Sequence, residues 1–204
     1  SGTRPLADLK QLIVGDRLRM RALSEVTDAM LSTGEPSAPV VVELYADLQS
    51  PVTAPAVAAV KQLLQQHPGK LRVQFRNFPL SFHPQAAAAH EAAMIAARDG
   101  HFWEFADYVL AHQDSLREQD LVVLAGKMGL DAKAFSAMLL EHRYAPRIEA
   151  DIQSGQQRGV RGSPSIVIGD KRVDGVPNAK VLNDYVEAAL AAVPTAEAGN
   201  SSPR

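Results

Sequence analysis

A valine-rich run that leads through a short turn into an alanine-rich helix is the feature that most constrains the fold. Residues 39–46 are almost continuously apolar, which is typical of a strand buried on both faces. After the turn Ser50-Pro51-Val52-Thr53, the pattern predicts a helix from Thr53 to Gln66. Residues 71–76 alternate between apolar and polar and predict a second strand. Together these segments predict a βαβ unit.

The chain after this unit predicts a block of four or five helices and then a β-β-α ending. The predicted helices lie at 85–98, around 102–109, from a capping box at 115–118, from an N-cap at Asp131, and from Pro146. The predicted strands lie at 165–168 and 172–173, joined by the hairpin signal Gly169-Asp170, and a last helix spans 178–192.

This order predicts an α/β thioredoxin-like fold, β-α-β … β-β-α, with an all-helical insertion and an N-terminal helical extension. The predicted parts are an extension and linker at 1–37, the first fold segment at 38–82, the insertion at 83–158, the second fold segment at 159–193 and a disordered tail at 194–204.

The extension has apolar residues in a heptad-like phase over residues 5–31. Two interpretations stay open: the helix packs on its own domain, or it forms a homodimer or docks on a partner. Residues 32–38 are turn-rich and predict a linker.

Composition excludes several classes of protein. The net charge is −2 with no basic run, so nothing predicts nucleic-acid binding. No apolar stretch is long enough to predict a transmembrane helix, and the first residues do not show a signal-peptide pattern. The chain contains no cysteine, which excludes disulfides, thiolate metal sites and thiol catalysis. The six histidines lack metal-ligand spacing, so we predict no metal site and interpret them as solvated or capping residues.

Four segments resemble the DsbA-like branch of the thioredoxin superfamily. They are Asp47-Leu48-Gln49-Ser50-Pro51-Val52-Thr53, Arg76-Asn77-Phe78-Pro79-Leu80-Ser81-Phe82-His83-Pro84, Gly100-His101-Phe102-Trp103-Glu104 and Gly159-Val160-Arg161-Gly162-Ser163-Pro164-Ser165. The first resembles the family's redox motif and the last its cis-proline loop. The resemblance implies that Ser163, before Pro164, offers its backbone to an extended polypeptide, as in strand addition. It also implies an extracytoplasmic location.

The sequence departs from the family at the reacting atoms. Ser50 and Thr53 stand where the family has its two cysteines, and a hydroxyl cannot replace a thiolate in disulfide exchange. Leu44 stands where many relatives carry a buried carboxylate, and the neighbouring Glu43 should point to the opposite face of its strand.

We therefore predict a protein that is inactive as a thiol–disulfide oxidoreductase. The leading hypothesis is a module that binds a polypeptide or partner protein without catalysis, using Ser50, Val52, Ser163 and Pro164. No cofactor is expected for it.

Three alternatives stay open. One is a glutathione-dependent transferase or isomerase, similar to the kappa class, in which Ser50 would contact the glutathione thiolate. Another is an oxidoreductase whose active-site cysteine was lost or engineered out. The third is that Ser50 and Thr53 only cap the helix that follows.

Overall fold

The computed structural model of the protein describes residues 25–176 and 178–194. Only the end of the predicted N-terminal helix falls in this range, and there Asp28–Leu31 form a short 3₁₀ turn. The rest of that helix and the tail after Pro194 lie outside the described residues.

The described residues contain five strands and seven α-helices. The strands are β1 (Ser32–Gly34), β2 (Val40–Ala46), β3 (Leu71–Asn77), β4 (Ser165–Ile168) and β5 (Lys171–Asp174). The helices are α1 (Thr53–Gln66), α2 (Ala86–Arg98), α3 (Phe102–Ala111), α4 (Glu118–Lys127), α5 (Ala132–Leu140), α6 (Ala145–Gln157) and α7 (Ala179–Ala191).

The strands form one mixed sheet in the order β1-β3-β2-β4-β5. Strands β2 and β3 are parallel, as the α1 crossover between them requires. Strand β4 runs antiparallel to β2, and β5 antiparallel to β4. The predicted β-α-β and β-β-α halves are therefore confirmed, with the helices α2–α6 inserted between them.

Two local predictions are wrong. Residues 32–34 form an edge strand paired with β3, where the turn-rich composition predicted a linker, because three residues are too few to show a period of two. The capping box at Ser115 is absent, and α4 begins at Glu118. Its N-cap is Arg117, in an extended conformation, and the preceding Leu116 lies in the core with 1% exposure.

The two faces of β2 pack against different apolar clusters. Val42 and Leu44 belong to the large cluster with Phe75 of β3, whereas Tyr45 packs with Phe78 in a smaller cluster. This alternation follows from the period of a strand.

Helix α6 lies unusually close to the smaller cluster. A Cβ atom added to Gly155 would lie 2.9 Å from the Tyr45 ring and 3.1 Å from the Phe78 ring. The absence of a side chain at this position lets the helix approach the sheet.

A buried ionic network fixes α6 to β3. The Asp151 carboxylate accepts hydrogen bonds from the backbone (3.2 Å) and side chain (2.7 Å) of Asn77, and pairs with Arg76 (3.3 Å) and Arg147 (3.2 Å). Both arginines also contact Asp28 beside the 3₁₀ turn. Asp151 thus joins the insertion to the sheet.

Candidate functional site

The carboxylate of Asp47, directly after β2, organises the end of the sheet. This residue is fully buried. Its Oδ1 atom accepts a hydrogen bond from the Gln49 backbone N–H at 2.8 Å, and its Oδ2 atom accepts one from the Leu80 N–H at 2.7 Å. The same Oδ2 lies 2.8 Å from Nδ1 of His83. Asp47 therefore connects the turn before α1 to the segment after β3.

The predicted cis-proline loop meets the same residue. The Asp47 backbone N–H donates to the Ser163 hydroxyl at 2.6 Å, and the Ser163–Pro164 peptide bond is cis. The Asp47 carbonyl also accepts the Ser50 N–H at 3.1 Å. The fold thus brings Ser50 and Ser163, 113 residues apart in the sequence, to opposite sides of Asp47.

The backbone of Ser163 is open for pairing. Within residues 25–176 and 178–194, neither its N–H nor its carbonyl has a hydrogen-bond partner. Pairing of β4 with β2 begins only at Ser165, opposite Tyr45. The loop therefore presents one residue whose backbone donor and acceptor are both unused among the described residues.

The four residues at the redox-motif position differ sharply in exposure. Ser50 and Thr53 are buried, with 3% and 0% exposure, whereas Pro51 is exposed and Val52 is 41% exposed. The Thr53 hydroxyl donates to the Asp47 carbonyl at 2.7 Å. The N-cap of α1 is Val52, without a side-chain capping bond, so the interpretation of Ser50 and Thr53 as helix caps is wrong.

The helical insertion holds this turn in place. The Gln113 side-chain amide, just after α3, donates to the carbonyls of Leu48 and Ser50, each at 2.9 Å. At the start of α2, the Gln85 N–H donates to the Gln49 side chain at 2.8 Å. The start of the turn, at residues 48–50, is therefore tied to the insertion.

Chemically, the turn offers hydroxyls and no sulfur. Leu44 lies in the core at 0% exposure, and Glu43 is engaged in ion pairs with Arg76 (3.2 Å) and Arg158 (2.7 Å). As predicted, the carboxylate that many relatives place at this position is absent, and Glu43 is held elsewhere.

His90 of α2 is buried beside Asp47. Its Nε2 accepts the Leu48 backbone N–H at 3.0 Å, and its Nδ1 lies 2.7 Å from the Asn77 side-chain carbonyl. The neutral ring with the proton on Nδ1 satisfies both contacts. Burial lowers the pKa of His90 from 6.5 to about 4, although the nearby Asp47 carboxylate acts in the opposite direction.

Sequence reasoning did not predict that His83 and His90 lie together beside Asp47. His90 is fully buried within α2, so its interpretation as a solvated or capping residue is wrong. His67 is buried too, but it is the C-cap residue of α1, which agrees with its interpretation as a capping residue. His83 and His90 meet at Asp47 although α2 begins only at Ala86, after both Pro84 and His83. A signal was present in Asp47, a charged residue at the end of an apolar strand.

No group of three or more metal-ligating side chains was found in the described part of the chain. Two exposed apolar side chains flank the cluster: Val52 before α1, and Phe82, which is 72% exposed. Its ring contacts that of His83 at 4.6 Å between centroids.

A strand–turn–helix beside a cis-proline loop, on a sheet interrupted by helices, is a DsbA-like thioredoxin fold. The site defines a version of that fold without either redox sulfur. The family model described as thioredoxin matches residues 26–188, and the chain belongs to this family.

Solved structures share the fold. A thioredoxin-like oxidoreductase from Silicibacter pomeroyi superposes with a TM-score of 0.69 at 24% identity, covering 86% of this chain and 98% of its own. BdbD from Bacillus subtilis gives 0.68 at 20% identity, covering 81% and 96%. A periplasmic thioredoxin-like protein from Salmonella enterica gives 0.65 at 19% identity, covering 86% and 97%.

Curated relatives are of a different kind. The chain is 37% identical over 171 residues to the Na⁺/H⁺ antiporter NhaA 3 of Salinispora tropica, covering 83% of this chain and 26% of that protein. It is 37% identical over 159 residues to NhaA 1 of Salinispora arenicola, covering 78% and 24%. The chain thus spans about a quarter of these relatives' length. Across the portion of the chain that the structure describes, no helix has the length and apolarity needed to cross a bilayer.

Proposed function

We propose that this protein binds an extended polypeptide at the cis-proline loop and performs no thiol–disulfide exchange. The observation that carries the proposal is the backbone of Ser163, which has no hydrogen-bond partner among the described residues and lies beside Asp47. Strand addition needs one donor, one acceptor and room for side chains, and it needs no sulfur. Val52, which follows the Asp47-bonded Ser50 in the turn, and Phe82, whose ring contacts that of His83, supply exposed apolar surface.

The test is a titration of the ¹⁵N-labelled protein with a permanently unfolded, carboxymethylated lactalbumin, followed by amide chemical shifts. We expect shifts at Gly162 and Ser163. Val52→Asp should weaken binding, whereas Val123→Asp, on the exposed face of α4 with 57% exposure, should not. Ser163→Ala should retain binding, because the proposed contact uses the backbone.

An absence of shifts with this client would overturn the proposal. Reduction of insulin by the unmodified chain would overturn its redox part.

Glutathione chemistry is the competing proposal. Ser50 exposes only 3% of its surface, so a thiol of glutathione has little access to the hydroxyl. Calorimetric titration with glutathione distinguishes the two. Saturable binding that is lost in Ser50→Ala would favour the transferase or isomerase over the peptide-binding module.

The antiporter relatives favour a second candidate role, in which the module acts together with a cation/proton antiporter on the extracytoplasmic side of a membrane. The polypeptide held at the loop would then belong to the transporter. Mixing the purified protein with the detergent-solubilised transport domain of the Salinispora tropica relative should give co-elution in size-exclusion chromatography. Separate elution, with unchanged Na⁺/H⁺ exchange in proteoliposomes, would end this candidate.

A further inference from the structure

An open groove of about 700 Å³ continues from the cis-proline loop along α6. One side is the segment Phe78–Ser81 after β3, and the other is the C-terminal half of α6 with Val160 and Arg161. Arg161 lies two residues before Ser163, and the Leu80 backbone N–H binds Asp47. The groove and the proposed peptide site are therefore parts of one surface.

The floor of the groove is apolar and firmly packed. Val160 is fully buried and Phe78 is 6% exposed, and the Phe78 ring meets the Tyr45 ring edge-on at 6.3 Å. Ile152 of α6 packs against the same cluster. Because Val160 and Phe78 are almost wholly covered, the apolar surface that the groove exposes comes from the half-buried side chains of Leu80 and Ile152. An aliphatic side chain can pack on such a surface.

The wall and rim are polar and have unused hydrogen-bonding capacity. Over the described ranges, the side-chain amides of Gln156 and Gln157 have no hydrogen-bond partner, although both line the groove. The Arg161 guanidinium donates to the carbonyls of Gln156 (3.2 Å) and Val160 (3.3 Å), which fixes it at the rim. It is exposed and pairs with no carboxylate among the residues that the structure places.

We infer that this groove binds the flanking part of the same polypeptide and selects segments that carry a carboxylate near an aliphatic residue. This inference rests on the proposed function and names its substrate class. The aliphatic side chain would lie between Leu80 and Ile152, the half-buried apolar residues that line the groove. The glutamine amides would bond the peptide backbone, and Arg161 would pair with the carboxylate.

Two labelled ten-residue peptides test the inference. Both consist of serine, threonine and glycine around one leucine; one carries an aspartate two residues from the leucine, and the other an asparagine there. Fluorescence anisotropy should give about threefold tighter binding for the aspartate peptide, the size expected for a solvent-exposed ion pair. In ¹⁵N spectra, shifts should extend from Ser163 to Ile152, Gln156 and Val160.

The variant Arg161→Gln should abolish the preference for aspartate and leave the asparagine peptide unaffected. Arg117→Gln is the matched control, because it removes the same charge from a guanidinium already paired with Asp120 at 2.8 Å. In this control the preference should persist.

Equal affinities with shifts confined to Gly162 and Ser163 would overturn the groove inference and leave the proposed function standing. No binding of either peptide or of the unfolded client would overturn the proposed function itself. Groove amides that shift with protein concentration alone would assign the groove to a second copy of the chain, which also overturns the inference.

Discussion

His90 is a buried imidazole whose two ring nitrogens are both in use. Protonation of Nε2 would turn the acceptor for the Leu48 N–H into a donor, so the charged ring would lose that contact in addition to its hydration. Both effects favour the neutral ring in the folded state.

The unfolding free energy should therefore fall on acidification. Because the folded pKa of about 4 lies below the ordinary 6.5, the contribution of His90 is complete above pH 6.5 and is lost as the pH falls toward 4. It amounts to about 3 kcal/mol. Urea unfolding between pH 7 and pH 4.5 measures it. His90→Gln should flatten this dependence, whereas His112→Gln, at an exposed site, should leave it intact. An unchanged slope in His90→Gln would contradict the assignment.

Glu91, the next residue, should change the unfolding free energy with pH in the direction opposite to that of His90. Burial raises the pKa of this carboxyl, although its hydrogen bond with His142 (2.9 Å) lowers it in part. A raised folded pKa means that the stabilising contribution is present at low pH and is lost as the pH rises. Glu91→Gln should thus raise the unfolding free energy at pH 7 relative to pH 4. Glu104→Gln, with its 72% exposed side chain, is the control, and a stability loss confined to pH 7 in Glu91→Gln would disprove the expectation.

At the scale of elements, one buried carboxylate supplies the ionic contact between α6 and β3, beside the apolar packing around Gly155. Asp151 has 2% side-chain exposure and faces Arg76 and Arg147, which are themselves 16% and 10% exposed. Removing its charge leaves two largely buried guanidinium groups whose remaining carboxylate partners, among the residues that the structure describes, are Asp28 and Glu43.

Asp151→Asn should lower the unfolding free energy by about 3 kcal/mol, the lower end for breaking a buried ion pair. Chemical denaturation measures the change. Glu149→Gln, two residues earlier on the exposed face of α6, should change stability by less than about 0.5 kcal/mol. If the two variants were equally stable, the ionic network would not stabilise the contact between α6 and β3 as the geometry indicates.

Helices and strands with a strong local sequence pattern were predictable. A strand that forms only because a neighbouring strand pairs with it was not. Helix α1 has the predicted ends, and the predicted hairpin of β4 and β5 forms. Strand β1 exists only because β3 offers it an edge. The site divides in the same way: Ser163 and Pro164 could be placed through the resemblance, whereas His90 looks like any polar residue in an alanine-rich helix until tertiary contacts surround it.

For the whole molecule, the strand–turn–helix at Asp47 allows a test of whether thiol–disulfide exchange can be restored. In the double variant Ser50→Cys with Thr53→Cys, the two thiols should form an intramolecular disulfide, because the turn keeps the strand–turn–helix shape of the family. The start of α1 should lower the pKa of the thiol at position 50. Free-thiol titration measures disulfide formation, the pH dependence of iodoacetamide alkylation in the reduced variant measures the thiol pKa, and insulin reduction measures the gained activity.

Ser50→Cys alone is the control, since it cannot close the ring. Thiols that stay reduced in a folded double variant would show that the turn has lost the shape as well as the sulfur.

The dimer hypothesis for residues 5–31 also belongs to this scale. It predicts that the full chain sediments as a dimer and that a chain beginning at Glu25 sediments as a monomer. The cut precedes Leu31, which lies in the core at 0% exposure. Equal masses per particle would contradict the hypothesis.

The missing side chain at Gly155 has one more consequence. Since a methyl group there would collide with the rings of Tyr45 and Phe78, even alanine would act as a wedge and lift α6 from the sheet. Displacement of α6 would alter the width of the groove along that helix without changing a single side chain that lines it. The width of the groove is thus set by the absence of a Cβ atom at Gly155, on the side of α6 that faces the sheet.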